Sequence, residues 1–119
     1  MSQKSILKQK SFQFALHIVS LARSLSESKS APVISTQILR SGTSIGAMIR
    51  EAEHAESKSD FIHKLSVALK EANETLYWLE LLCGSGYISN SQFQVLLNEN
   101  DELVRMLVSS IKTLKSKEH

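Results

Sequence analysis

The chain has 119 residues, with 14 Lys/Arg against 12 Asp/Glu, a formal net charge of +2 and 42% hydrophobic residues, the size and composition of a single domain. One proline, four glycines and no alternating β-branched pattern argue against a sheet, and neither a membrane-length apolar run nor a charged-then-apolar leader is visible. A single cysteine excludes an internal disulfide and a multi-thiolate metal site, so a cytoplasmic protein is expected.

The first helix is predicted over roughly residues 4–27. Phe14, Ile18, Leu21, Ala22 and Leu25 share one side, and Phe12, Ala15 and Val19 widen that stripe. Ser28, Lys29 and Ser30 break the pattern. A second helix then starts with Ser30 as N-cap and Pro32 in the first turn, where its missing N–H costs nothing. Its apolar stripe is Ile34, Ile38, Gly42, Ile45, Ile49 and Ala52.

Ser57 and Asp60 are spaced as a capping pair for the third helix, with Asp in place of the usual Glu or Gln. Ile62, Leu65, Leu69, Ala72, Leu76, Leu79 and Cys83 step by three and four along it, which is a bundle seam. Cys83 on that seam reads as an inert buried thiol. Gly84 or Gly86 stops the helix, and Ser89 with Gln92 forms a capping box for the fourth. Phe93, Leu96, Leu103, Leu107 and Leu114 make one seam there, interrupted by Asn100, with Leu97, Val104 and Ile111 beside it.

Short connections make sequential helices antiparallel, so the expected fold is all-α, an up-down-up-down four-helix bundle and a rod roughly 38 Å long. Its core should contain Ile18, Leu25, Ile45, Ile49, Leu65, Leu69, Leu76, Leu79, Leu103 and Leu107. Gly42 and Gly46 each cost about 1 kcal/mol against alanine inside a helix. Close approach of a neighbouring backbone explains them better than a phosphate-binding turn, which normally follows a strand.

Few residues carry chemistry. Glu51 and His54 form a Glu-x-x-His pair, the spacing found in di-iron bundles, but no second pair exists: His17, His63 and His119 lack a glutamate three residues before them. Arg50 and His54 share a face without matching the longer Arg–His spacing of helical-bundle ribonucleases. No oriented serine nucleophile is evident. No catalytic, metal or cofactor residue is therefore assigned. Tyr77, Trp78 and Leu81 fall away from the third helix's seam. Either local packing and the Gly84–Ser89 loop cover them, or they form a subunit interface, the favoured reading.

Charge is unevenly placed. In such a bundle both termini and the second connection share one end. That end carries nine basic residues (Lys4, Lys8, Lys10, Arg50, Lys58, Lys64, Lys112, Lys115 and Lys117) against the five acids Glu51, Glu53, Glu56, Asp60 and Glu118. The other end has five basic and seven acidic residues. Aligned in a ring of subunits, the basic ends would form an electrostatic footprint for RNA or DNA. Lys4, Lys8, Lys10, Arg50, Lys112, Lys115 and Lys117 are the candidate phosphate contacts.

The blocks LRSGTSIGAMIREA (39–52) and SDFIHKLSVALKEANETLYWLELL (59–82), and more weakly SFQFALHIVSLARSL (11–25), resemble the four-helix-bundle family associated with intervening sequences of bacterial large-subunit ribosomal RNA genes. The resemblance implies a left-handed bundle, commonly a homopentamer. A similar bundle is an accessory protein of diversity-generating retroelements, thought to contact nucleic acid and a reverse transcriptase. The family supplies no catalytic residues. Met48 stands where its pattern usually has asparagine. Three functions follow: an oligomeric scaffold binding nucleic acid through a basic face, a protein–protein adaptor, or a metal or RNA-cleaving enzyme. The first is preferred, with a homo-oligomer, RNA or DNA, and a protein such as a reverse transcriptase as partners, and no membrane.

Overall fold

A computed structural model describes residues 2–117. Four helices follow one another: α1 (Gln3–Glu27), α2 (Pro32–Ala52), α3 (Lys58–Gly84) and α4 (Asn90–Ser116), with no strand among the described residues. Each helix packs on its sequential neighbour, and α1 also meets α4, so the four close into a square. The envelope measures 51 × 23 × 22 Å. It exceeds a single helix length because it takes in connections and chain ends as well as helix shafts.

Local chemistry sets the helix ends. Ser2 and Ser57 cap α1 and α3 by accepting from the N–H groups of Ser5 and Asp60. The Asp60 carboxylate accepts from the N–H of Glu56, one residue before the cap, at 3.2 Å, instead of from the cap residue's own N–H. Ser89 and Gln92 form the complete reciprocal box expected for α4. Gly86, at φ +82°, closes α3, with the Tyr87 N–H donating to the Leu82 carbonyl at 2.9 Å. Lys29 plays the same part after α1 at φ 56°, with the Ser30 N–H on the Leu25 carbonyl at 2.8 Å.

That turn corrects the expected start of α2. Ser30 is taken up in closing α1, and its hydroxyl accepts from Ser28. Ala31, itself left-handed at φ 44°, becomes the N-cap without a side-chain bond. Pro32 at the first helical position spares one unsatisfied donor.

The core contains Leu7, Phe14, Ile18, Leu21 and Leu25 from α1, and Ile38, Ile45, Ile49 and Ala52 from α2. Leu65, Ala68, Ala72, Leu79 and Leu82 come from α3, and Leu96, Leu103 and Leu107 from α4. Two expected core leucines are only half-buried, and the α3 seam is rotated accordingly. Ala68, Thr75 and Leu82 are fully buried, while Leu69, Leu76 and Cys83 lie on the flank. The cause is the packing against α2. Small residues let the two helices approach, and the Thr75 hydroxyl lies 2.9 Å from Ser41 Oγ in a site with no solvent access. Cys83 is not a buried thiol; its Sγ donates to Asn90 Oδ1 at 3.2 Å.

Across the bundle α1 packs on α2 through its two glycines. A Cβ on Gly42 would lie 2.8 Å from Ile18 Cγ2, and one on Gly46 would lie 3.3 Å from Ser11 Oγ. Close approach is therefore the reason for both. The widened α1 stripe does not hold: Phe12 and Val19 are exposed, and together with Leu16 and Leu39 leave apolar groups at the surface. Asn100 does not merely interrupt a seam. It is fully buried, its Nδ2 donates to the Ala72 carbonyl at 3.0 Å, and its Oδ1 has no partner.

Candidate nucleic-acid interface

The antiparallel order brings the start of α1, the end of α2, the start of α3 and the end of α4 to one end of the square. Lys8 of α1 meets Glu53 of α2 at 3.2 Å, and Lys4 Nζ lies 4.6 Å from the ring centre of Phe61 of α3. The candidate cations therefore do converge, but not equally. Lys8 is committed to Glu53 and Lys10 to Glu102 of α4 at 2.8 Å. Lys64, at the start of α3, faces Glu51 at 3.6 Å. Lys4 and Arg50 lie over aromatic rings, Arg50 at 5.4 Å from Phe12, and have no carboxylate partner among the described residues. Lys112, Lys115 and Lys117 are exposed along the last turns of α4 and have no ion pair among the described residues. Glu118, counted in the charge of this end, lies outside the described residues, as does His119.

One cation was missing from the sequence-derived set. Lys58, in the first turn of α3, is exposed and unpaired among the described residues. Its position in the second connection was the available signal. Of the acids at this end, Glu51 and Glu53 are in ion pairs, and Asp60 is turned back to its own helix start.

Between the helices at the same end lies a cavity of about 180 Å³. It is lined by Lys4 and Leu7 of α1, Ile49 and Glu53 of α2, Phe61 and Leu65 of α3, and Ser110, Thr113 and Leu114 of α4. An adjoining groove shares Lys4, Glu53, Phe61 and Leu114 and adds Lys58. Sequence periodicity gives no sign of such a space.

The interface candidates separate. Tyr77 is 57% exposed and Leu81 half-buried, whereas Trp78 packs against the core cluster. The rings of Tyr77 and Trp78 meet edge to face at 5.0 Å. The Trp78 indole N–H donates to Glu74 at 3.0 Å, and Arg40 bridges Glu74 to Glu71. That indole N–H, and then Arg40, hold the Glu74 carboxyl below its ordinary pKa against partial desolvation, while Glu74 raises that of Arg40. Met48, in place of the family's asparagine, is half-buried and packs on the core.

The Glu-x-x-His pair is not a centre. Glu51 lies in the last turn of α2 and His54 beyond its end, both exposed. No three His, Cys, Asp or Glu residues cluster for a metal among the described residues.

Fold and surface together define a small all-helical bundle with a cation-rich end. Its described helices include none long and apolar enough to cross a membrane. The chain belongs to the 23S rRNA-intervening sequence protein family, whose profile matches residues 3–109. A crystal structure of a protein with unknown function from the S23 ribosomal protein family of Bacteroides thetaiotaomicron VPI-5482 is similar to it. The two share 53% identity over 93% of this chain and 99% of that one, with a TM-score of 0.90. No curated protein matches the chain in sequence.

Proposed function

We propose that this protein is a non-enzymatic, homo-oligomeric scaffold of the cytoplasm that binds RNA or DNA through the end where its termini and second connection meet. The observation that carries the reading is the state of the cations there. Lys58, Lys112, Lys115 and Lys117 have no carboxylate partner among the described residues, and Lys4 and Arg50 rest on rings instead. A charge already paired with a carboxylate has little left for a phosphate; an exposed, unpaired one releases counterions when a phosphate replaces them. Such contacts position a polyanion without reading its sequence.

Lys8 and Lys10 take a lesser part in this reading because each must first give up a glutamate. Assembly would multiply the effect by placing several such ends on one face, and the exposed Tyr77 ring is a candidate contact for it. The adaptor reading is favoured by one observation, the exposed Phe12, Leu16 and Val19 on α1 and Leu39 on α2.

The test is fluorescence anisotropy of a labelled RNA and a labelled DNA duplex across a salt series. The expected log–log slope is about −0.9 per phosphate neutralised on duplex DNA and about −0.7 on single strands. Absence of binding at low salt would remove the proposal and favour the adaptor.

A further inference from the structure

Phosphate contacts leave the cavity at the basic end unexplained. Its floor is Leu7, Ile49 and Leu65, all buried, and Phe61 supplies an aromatic wall. An apolar protein cavity of about 150 Å³ stays dry and accepts benzene. At about 180 Å³, and open on one side, this one has room for an aromatic base. Filling it would supply van der Waals neighbours that its lining lacks.

The mouth is cationic. Lys4 stands over Phe61, Lys58 borders the adjoining groove, and the one rim carboxylate among the described residues, Glu53, is paired with Lys8. A ring face open to an exposed ammonium is open to a flat π-system arriving from the same side.

We infer that the cavity holds one unpaired base of a single-stranded nucleic acid, with Lys4 and Lys58 on the flanking phosphates. The inference rests on the nucleic-acid reading above and narrows it from any polyanion to strands or loops with a free base. A base inside a duplex is stacked and paired, and cannot enter. Lys4 has a flexible four-carbon stem, so its ammonium moves from ring to phosphate and vacates the face of Phe61.

Labelled oligouridylate, oligoadenylate and an RNA duplex of equal length, each titrated at low salt, test this. Oligouridylate should bind roughly 5- to 150-fold more tightly than the duplex, the range that one stacked base supplies. Oligoadenylate should share that advantage over the duplex, because stacking on an aromatic ring tolerates either kind of base. Thr113→Phe puts a ring in the cavity mouth and should erase the difference. Phe61→Leu, which keeps apolar bulk and removes the ring, should do the same. Val95→Phe adds equal bulk on an exposed position in the first half of α4 and should leave the preference intact. Helical circular dichroism and the melting temperature establish that each variant folds. Equal, salt-sensitive affinity for all three ligands would overturn the cavity inference and leave the basic end standing. No binding to any of them would overturn both readings.

Discussion

Gly42→Ala should destabilise the bundle even though alanine is the better helix former. The substitution gains about 1 kcal/mol of helix propensity. Against this, the new methyl would sit 2.8 and 2.9 Å from the two γ carbons of Ile18. Ile18 is fully buried and β-branched, so it has no free rotamer to retreat into. Overpacking costs about 1–3 kcal/mol, and two contacts below 3.0 Å to a buried, stiff side chain put this case at about 2–3 kcal/mol. The net expectation is a loss of about 1–2 kcal/mol, or roughly 3–10 °C in melting temperature for a chain of this size. Gly46→Ala is the internal control. Its methyl would press only on the Ser11 hydroxyl, at 3.3 Å, with the Ser11 carbonyl at an ordinary contact distance of 3.5 Å; a shift of a few tenths of an ångström relieves this, so propensity should win and stability should hold or rise. Urea unfolding followed by circular dichroism, at fixed protein concentration because assembly would shift the midpoint, measures both. A double-mutant cycle with Ile18→Ala should show coupling of about 0.5–3 kcal/mol, since removing the γ carbons removes the clash. Gly42→Ala as stable as the parent, or uncoupled from Ile18, would refute the close-approach argument.

Leu82→Ala should cost about 2–5 kcal/mol in the same assay, and Leu76→Ala clearly less, because α3 buries the first and leaves the second on its flank; the reverse order would put the seam back where hydrophobicity alone places it. Asn100→Leu should be neutral or stabilising, since the amide it removes has an unpartnered oxygen. Asn100→Asp should be strongly destabilising near neutral pH. Burial would raise the introduced carboxyl's folded-state pKa above its unfolded value, so stability should recover as pH falls through that raised value and be lost as pH rises through it; a flat pH profile relative to the parent would contradict this. Tyr77→Glu should lower the mass seen by light scattering while helical circular dichroism is retained, and an unchanged oligomer would move the interface elsewhere.

Helix ends were the most legible part of the chain, because capping depends on side chains three residues apart: Ser89 with Gln92, and Ser57 with Asp60. Ala31 was not legible as a cap, because the left-handed turn at Lys29 that displaced Ser30 carries no glycine to announce it. The α3 seam was misread for a physical reason. Hydrophobicity favours Leu69 and Leu76 over Ala68 and Thr75, whereas close packing on α2, where Thr75 meets Ser41, favours the smaller pair. Asn100 looked like a gap in a stripe because polarity alone does not reveal a donor aimed at the Ala72 carbonyl. For the candidate interface, the sequence placed seven cations at one end but could not show which ones glutamates had already claimed. The cavity among all four helices arises from their relative placement, which no single-helix pattern encodes.

The central claim, that this end of the bundle binds nucleic acid, is tested most directly by comparing two sets of charge-removing variants on the same labelled RNA. One set replaces Lys112, Lys115 and Lys117 by glutamine; the other replaces Arg23 and Lys29 at the opposite end. The account predicts weaker binding and a flatter salt slope for the first set, by about 0.7 for each single-strand phosphate that is no longer neutralised, with little change for the second. Identical behaviour of the two sets would contradict it.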